Sequence, residues 1–242
     1  MGSAVVLAGA LPGLASKSEG SIASRLSVVC VGAHPDDPES GCSGTLALYS
    51  GLGHHVTVIY LTRGEIGIDG KSMFEAAAVR TKESEAACKI IGAKPVFAGQ
   101  VDGSAEFNRT RLRQLQGLLS AEDPDLMFAH WPIDTHMDHQ VASACAFRAS
   151  MALQHPPQCY FYEVNTGYQS LGFSPNLYVD ITSVKEKKIE ALSAHVSQRG
   201  EAIWKYHHQA IADFRGREAG VAAAEAFFHL NRDSGFIRVP GV

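Results

Sequence analysis

The chain has 242 residues, of which 45% are hydrophobic and 19% are charged, and its formal net charge is −4. This composition is that of an ordinary globular protein with one good-sized core, and it supplies no basic field to attract nucleic acid or an anionic membrane surface. No apolar run reaches the roughly 18 residues that a membrane span requires. The five cysteines include no Cys-x-x-Cys pair, so we expect buried thiols in a reducing compartment rather than a structural zinc site.

The first 25 residues are predicted to be a flexible leader or the remnant of a signal peptide. Residues 4–15 have the apolar character of an export signal, but no positive charges precede them. A cytoplasmic location is therefore the prediction, and export is the alternative. Residues 26–242 are predicted to form a single domain, because no repeat or linker interrupts them.

From residue 26 onward, short apolar runs alternate with helical patterns. Runs typical of buried strands occupy residues 26–32, 56–62, 95–98, 125–129, 158–164 and 177–181. Helical patterns lie near residues 43–50, 75–91, 109–121, 139–153, 183–195, 201–214 and 219–230. This alternation predicts an α/β fold, with a Rossmann-like, mostly parallel sheet flanked by helices and a helical C-terminal cap.

Two polar motifs follow two of these strands at the point where each strand ends. His34-Pro35-Asp36-Asp37 comes after the first run, and His136-Met137-Asp138-His139 comes after the fourth. Ligands of open parallel sheets bind outside the carboxyl ends of the strands, so we expect both motifs to meet at one edge of the sheet. Residues 62–65 and 101–103 follow two other strands and would join them there.

In the first motif, the proline keeps His34 extended, because the position before a proline is disfavoured in helical conformations. Within the tight turn that follows, His34 and Asp37 can face one point while Asp36 presents its carboxylate to a neighbouring position. The alternative interpretation is that the two aspartates only cap the N-terminus of the next helix.

In the second motif, His136 and His139 are three residues apart, about one helical turn. One imidazole could bind a metal ion while the other faces the substrate, and Asp138 could orient an imidazole. Alone, this motif could equally belong to a polar surface loop. Side by side, the two motifs predict a metal site, whose nitrogen and oxygen donors favour zinc, with iron or manganese as the alternatives.

Such a site has the parts that hydrolysis of an amide or an ester needs. Three protein ligands leave a position for water, whose pKa a zinc ion lowers towards neutrality. A spare carboxylate could take the proton of the water, and a spare histidine could stabilise the oxyanion of a tetrahedral intermediate. The sequence contains no Gly-x-Ser-x-Gly elbow, no Gly-x-Gly-x-x-Gly after the first strand and no P-loop.

The chain resembles the PIG-L / LmbE-like deacetylases, zinc enzymes that remove acetyl groups from N-acetylglucosamine-type substrates. The resemblance extends from about residue 28 to residue 230. It rests on residues 33–37 (AHPDD), 41–46 (GCSGTL), 61–65 (LTRGE), Arg80-x-x-Glu83, Pro124-Asp125, residues 136–139 (HMDH), residues 179–182 (VDIT) and His195-x-Ser197-Gln198.

The resemblance implies roles for the residues of the first motif and for one histidine of the second. Three residues would ligate zinc: His34, Asp37 and His139. Asp36 would be the general base and later the acid that protonates the leaving amine.

The resemblance also implies roles around the substrate. His136 would stabilise the oxyanion as a protonated imidazole, and Asp138 would hold the orientation of that ring. Arg80 and Asp102 are similar to family positions that hold the sugar. The partner is then a small N-acetylated amino sugar, and relatives suggest a homo-oligomer, a trimer or a hexamer.

Some features depart from the family pattern or leave alternatives open. Pro38 follows the two aspartates where the family often has glutamate, which moves the acidic side chain to Glu39. An amidase that cleaves thiol–sugar conjugates would share every catalytic group, and a sugar-binding protein that keeps the metal without turnover is the alternative outside enzymes. The group attached to the sugar stays open, and His207 and His208 are interpreted as ordinary helix-surface residues.

Overall fold

The computed structural model describes residues 25–230 and the backbone of Val5–Leu7. Its strands are β1 (Val5–Leu7), β2 (Ser27–Gly32), β3 (His55–Tyr60), β4 (Lys94–Phe97), β5 (Leu126–His130), β6 (Gln158–Tyr162), β7 (Leu177–Asp180) and β8 (Ala224–Leu230). Its helices are α1 (Asp37–Gly51), α2 (Met73–Ile91), α3 (Arg109–Glu122), α4 (Met137–Ser150), α5 (Lys185–Ser193), α6 (Gly200–Ile203) and α7 (Gln209–Ala219). A π-helical turn, Trp204–His208, joins the last two helices, and short 3₁₀ turns occupy Thr182–Val184 and Val196–Gln198. Most of the predicted leader lies outside the described residues.

The strands form one sheet in the order β1-β7-β8-β6-β5-β2-β3-β4. Every neighbouring pair is parallel except the two pairs that β8 makes, which are antiparallel to β6 and β7. The predicted α/β class, with a mostly parallel sheet flanked by helices, is therefore confirmed. None of the described helices is long and apolar enough to cross a membrane.

The prediction of a helix over residues 219–230 is wrong, because most of that segment is the strand β8. Its alanine-rich start favours a helix by intrinsic propensity, but tertiary contacts override propensity. The strand fills the space between β6 and β7, and its side chains alternate across the sheet. Phe227 packs in the hydrophobic core on one face of the sheet, and Phe228 packs against the hydrophobic core on the other face.

Residues of β2 show how the sheet divides the core into two layers. Val28 and Cys30 point to one face, which packs against α1, α2 and α5, and Val29 and Val31 point to the other, which packs against α3 and α4. Strands buried on both faces are continuous apolar runs, which is why the sequence located them well. All the cysteines are buried thiols outside disulfide bonds, as expected.

The first helix begins earlier than the sequence pattern indicates, at Asp37 rather than near residue 43. Pro38 lies in its first turn, where the missing N–H costs nothing. Gly32 allows the close approach, because a Cβ on this glycine would lie 2.6 Å from the Cγ of Pro38. The first motif is thereby folded tightly against the end of β2.

A buried ion pair between Glu225 and Lys188 connects β8 with the helices α1 and α5. The Glu225 carboxylate accepts hydrogen bonds from the Gly44 N–H (2.9 Å), the Thr45 N–H (2.8 Å) and the Lys188 ammonium (2.6 Å). The same ammonium donates to the carbonyl of Ser40 (2.7 Å). The pair therefore connects β8, α1 and α5.

We expect Glu225→Ala to lower the free energy of unfolding by about 3–5 kcal/mol, because it leaves the buried Lys188 charge without its carboxylate. Denaturant titration followed by circular dichroism measures this change. Lys187→Ala, at an exposed neighbouring position, is the control and should change stability by no more than about 0.5 kcal/mol. Equal stability of the two variants would contradict the interpretation.

Candidate metal centre and active site

The loops that follow the parallel strands surround a cavity of about 370 Å³ at the carboxyl edge of the sheet. Seven of the predicted site residues line it: His34, Asp36, Asp37, Arg80, Asp102, His136 and His139. The eighth, Asp138, is buried behind the cavity wall. The predicted meeting of the two motifs at one sheet edge is confirmed.

The first motif folds around the carboxylate of Asp37. The Oδ2 atom of this residue accepts a hydrogen bond from the His34 N–H (2.7 Å) and lies 3.2 Å from the Nδ1 atom of the same histidine. His34 and Asp37 are both buried. The tight turn predicted from Pro35 thus brings imidazole and carboxylate to one point.

The second motif reaches the same carboxylate from the other side. His136 precedes the first turn of α4, and His139 lies within that turn. The Nε2 atom of His139 is 3.2 Å from Oδ1 of Asp37. The ring centroid of His136 lies 4.7 Å from those of His34 and His139, so three imidazoles from two motifs surround one carboxylate.

Carboxylates also contact the outer nitrogens of the two candidate ligand histidines. Nε2 of His34 lies 3.1 Å from Oδ1 of Asp102 and 3.2 Å from Oδ2 of Asp138. Nδ1 of His139 lies 3.2 Å from Oδ1 of Asp134. Metal-binding histidines usually have such a partner, which fixes the ring and raises its basicity. The arrangement fits a metal centre at the inner nitrogens.

Two predicted roles differ from the contacts in the structure. Asp138 was expected to orient His136, but it contacts that ring through its backbone N–H (3.2 Å), and its carboxylate lies against His34. Asp102 was expected to hold the sugar, but its carboxylate is buried against His34 and the N–H of Ile66. Both carboxylates therefore lie where they can orient His34 and accept a hydrogen bond from its buried Nε2 atom.

The electrostatics of the cluster favour charged imidazoles around an ionised Asp37. Burial alone would raise the pKa of Asp37, but His139 and His130 hold it well below its usual value. Burial alone would lower the pKa of His139, but Asp37 and Asp134 raise it to about 9. Binding of a metal ion here would replace the protons on these imidazoles. The negative charge of the carboxylates that holds those protons would also attract a divalent cation.

Asp36 lies beside the cluster and is held by Arg80. A guanidinium nitrogen of Arg80 lies 3.3 Å from Oδ1 of Asp36, and it also donates to the carbonyl of Pro35. Gly64 and Gly67 leave room for this guanidinium, since a Cβ on either would collide with it. Arg80 was predicted to bind the sugar; in the structure its guanidinium is occupied by Asp36 and the backbone.

The environment of Asp36 suits a proton acceptor. Burial raises the pKa of its carboxyl, Arg80 opposes this effect and the Asp37 charge reinforces it. A carboxylate with a raised pKa is a better base near neutral pH. Its backbone has φ 105°, a strained value for a residue other than glycine.

Sequence reasoning missed several buried groups of the site. His130, the last residue of β5, stacks on His139 with ring centroids 4.3 Å apart and lies 3.3 Å from Asp37 through Nε2. Burial and the neighbouring His139 lower the pKa of His130 to about 4. Glu39 accepts the N–H of Asp36 (3.1 Å). The position of His130 at a strand end was the available signal, Glu39 was noted only as the acidic residue displaced by Pro38, and for Asp134 the sequence offered no signal.

The chain matches the family model of PIG-L, GlcNAc-PI de-N-acetylase, over residues 29–150. It belongs to this family. Over 216 residues, it is 30% identical to the diacetylchitobiose deacetylase of Thermococcus kodakarensis, covering 82% of this chain and 80% of that protein. It is 26% identical to the 4-oxalmesaconate hydratase of Pseudomonas putida, with 82% and 84% covered.

Among solved structures, this PIG-L family member is similar to the N,N'-diacetylchitobiose deacetylase from Pyrococcus horikoshii in complex with its inhibitor MPG. The TM-score is 0.74 and the identity is 27%, with 84% of this chain and 83% of that chain covered. The predicted family and fold are confirmed.

We expect Asp134→Asn to weaken Zn²⁺ binding about 10- to 100-fold, because the His139 ring loses the carboxylate that orients it. Competition against a zinc chelator dye measures the affinity. Asp213→Asn, which changes a half-exposed carboxylate on α7, is the matched control and should bind zinc like the unmodified protein. Unchanged affinity in Asp134→Asn would show that this contact does not support a metal ligand.

Proposed function

We propose that this protein is a zinc-dependent hydrolase that removes the acetyl group from an N-acetylated amino sugar of the N-acetylglucosamine type, or from a conjugate of one. The observation that carries this proposal is the placement of His34, His139 and Asp37 around one point beside Asp36, in a cavity that opens to solvent. The similarity to a diacetylchitobiose deacetylase supports the substrate class.

We propose His34, Asp37 and His139 as the zinc ligands. Asp37 lies within 3.2 Å of both imidazoles, and the outer nitrogen of each ring faces a carboxylate. Histidine and carboxylate donors without thiolate suit zinc. When bound, the ion supplies a Lewis acid and lowers the pKa of a water molecule.

Asp36 is the proposed general base. It takes the proton of the attacking water and later delivers a proton to the nitrogen of the leaving amine, so that one group serves both steps. Three contacts hold it in place: Arg80 at its carboxylate, Glu39 at its N–H and the Ser40 N–H at its carbonyl (2.8 Å). A base that is fixed in this way does not lose freedom when the substrate binds.

His136 is the proposed donor to the developing oxyanion. Its Nδ1 atom accepts the N–H of Asp138, so the neutral ring carries its proton on Nε2 and can donate it to an oxygen in the cavity. Burial and the charges of His34 and His139 lower the pKa of His136. We therefore propose the neutral imidazole as the donor, in place of the protonated imidazole expected from the sequence.

Other parts of the sequence interpretation extend the proposal. An amidase that cleaves thiol–sugar conjugates would use the same ligands and the same base, and a hydratase is among the relatives, so the assay must separate these reactions. Assembly into a trimer or a hexamer and a cytoplasmic location stay predictions. Light scattering of the purified protein checks the first, and a monomeric mass would contradict it.

The test of the proposed function is release of acetate by the zinc-loaded protein. We expect release from N-acetylglucosamine derivatives and loss of that activity when dipicolinate removes the metal, with recovery after zinc is added back. A thiol–sugar amide and an unsaturated dicarboxylate serve as the amidase and hydratase substrates. Turnover of either one without acetate release from any amino sugar would refute the deacetylase.

We expect Asp36→Asn to keep its zinc but to lower kcat by about 10²-fold or more, the usual contribution of a general base. Acetate release and elemental analysis of the same sample measure the two quantities. Asp213→Asn again provides the control for a lost surface charge. Full activity in Asp36→Asn would remove Asp36 from the mechanism.

A further inference from the structure

The residues that line the cavity include His207 and His208 of the π-helical turn Trp204–His208, between α6 and α7. Single π-helical turns inside helices are rare and occur often at functional sites. Trp204 anchors the turn in a small apolar cluster with Leu192 and Ala212. Lys205 and Tyr206 are exposed, whereas His208 is buried and lines the cavity. The expectation that His208 is an ordinary surface residue is therefore wrong.

His208 is only 5% exposed, yet its imidazole has no hydrogen bond to any residue between 25 and 230. Because the imidazole lines a cavity, its nitrogens can meet a ligand or water there. The ring lines the catalytic cavity together with Ser40 and also borders a smaller cavity beside Lys188. One of its nitrogens can therefore hydrogen-bond a group that enters the catalytic cavity.

His208 is a neutral imidazole at neutral pH. Burial and the nearby Lys188 charge lower its pKa to about 3. A neutral imidazole has one donor and one acceptor nitrogen. A hydroxyl group matches this pair, because it also donates and accepts, whereas a carboxylate or phosphate accepts only.

Several other polar residues that line the cavity have uncharged side chains: Ser40, Asn165, Gln169 and Gln198. Arg80 is the only residue with a permanent positive charge among the described residues that line the cavity, and it is occupied by Asp36 and the backbone. An anionic group on the substrate would find no free cation among these residues.

We propose that His208 is a substrate-binding residue that hydrogen-bonds a sugar hydroxyl, and that the group next to the N-acetylated sugar is an uncharged saccharide rather than a malate or a phosphoinositol. This inference rests on the proposed deacetylase function and narrows the range of conjugates that the sequence left open. The amide side chains of Asn165 and Gln169 offer further donors and acceptors for hydroxyl groups in the same cavity.

Kinetics on paired substrates test the proposal. For the unmodified protein, we expect kcat/KM for N,N'-diacetylchitobiose to exceed that for N-acetylglucosaminyl malate by roughly 10-fold or more. In His208→Ala, KM for diacetylchitobiose should rise roughly 3- to 10-fold, the usual effect of one lost neutral hydrogen bond, while kcat stays within about twofold. His208→Gln keeps a donor and an acceptor and should recover most of the affinity.

Binding measured without turnover provides the second arm. Calorimetry of diacetylchitobiose with Asp36→Asn and with the double variant carrying His208→Ala should show the same 3- to 10-fold loss of affinity. Lys205→Ala, an exposed position on the same turn that does not line the cavity, is the control for disturbance of the turn and should leave KM unchanged. Thermal melting and zinc content confirm that each variant is folded.

The outcomes separate this inference from the function on which it rests. Acetate release with unchanged KM in His208→Ala, or a preference for the malate conjugate, would overturn the inference and leave the deacetylase standing. No acetate from any substrate in the panel would overturn both. A change in kcat alone would also contradict it, because a hydrogen bond to a remote hydroxyl acts on binding.

Discussion

The buried carboxylate of Asp37 is the interaction on which the rest of the site depends. It lies within 3.3 Å of ring nitrogens of His34, His130 and His139, which come from the ends of two neighbouring strands and from α4. A carboxylate taken out of water is costly unless charged or hydrogen-bonding partners surround it. These histidines supply that compensation, so folding itself gathers the imidazoles at one point. The N-terminus of α1 adds its positive end at the same place.

Two carboxylates that contact the outer nitrogens of the imidazoles, those of Asp134 and Asp138, limit how far the rings can move. Asp138 holds His34 and accepts the N–H groups of Gly103 (2.7 Å) and Ala105 (3.2 Å), so the loop after β4 is fixed to α4. Asp134 holds His139 and accepts the N–H of His136 (2.8 Å). Each carboxylate thus contacts an imidazole ring and also accepts a hydrogen bond from at least one backbone N–H group. Rings held in this way are already oriented, which is what a metal centre needs for high affinity.

The sequence predicted well those features that depend on local pattern. Buried parallel strands appear as short apolar runs, and the turn after each strand places polar residues at a known edge, so both motifs could be located before any coordinates. The choice of His139 rather than His136 as a candidate ligand came from the family resemblance. The strand β8 could not be predicted from local pattern, because its alanine-rich start favours a helix. It is a strand because it fills the gap between β6 and β7 in the sheet. The partners of Asp102 and Asp138 depend on which loops meet in space, and no spacing along the chain encodes that.

The residues that line the cavity come from different parts of the chain, and the candidate catalytic residues come from other segments than the rest of the lining. The strand-end loops carry the candidate ligands and the base on a rigid sheet, where a small displacement would cost turnover. Other lining residues come from the loop after β6 and from the π-helical turn, outside the two motifs. None of these residues hydrogen-bonds the Asp37 carboxylate among the described contacts, so their side chains can change without removing a partner of Asp37. Under the proposed function, substitutions at these positions would change which conjugate binds while the candidate metal ligands stay in place.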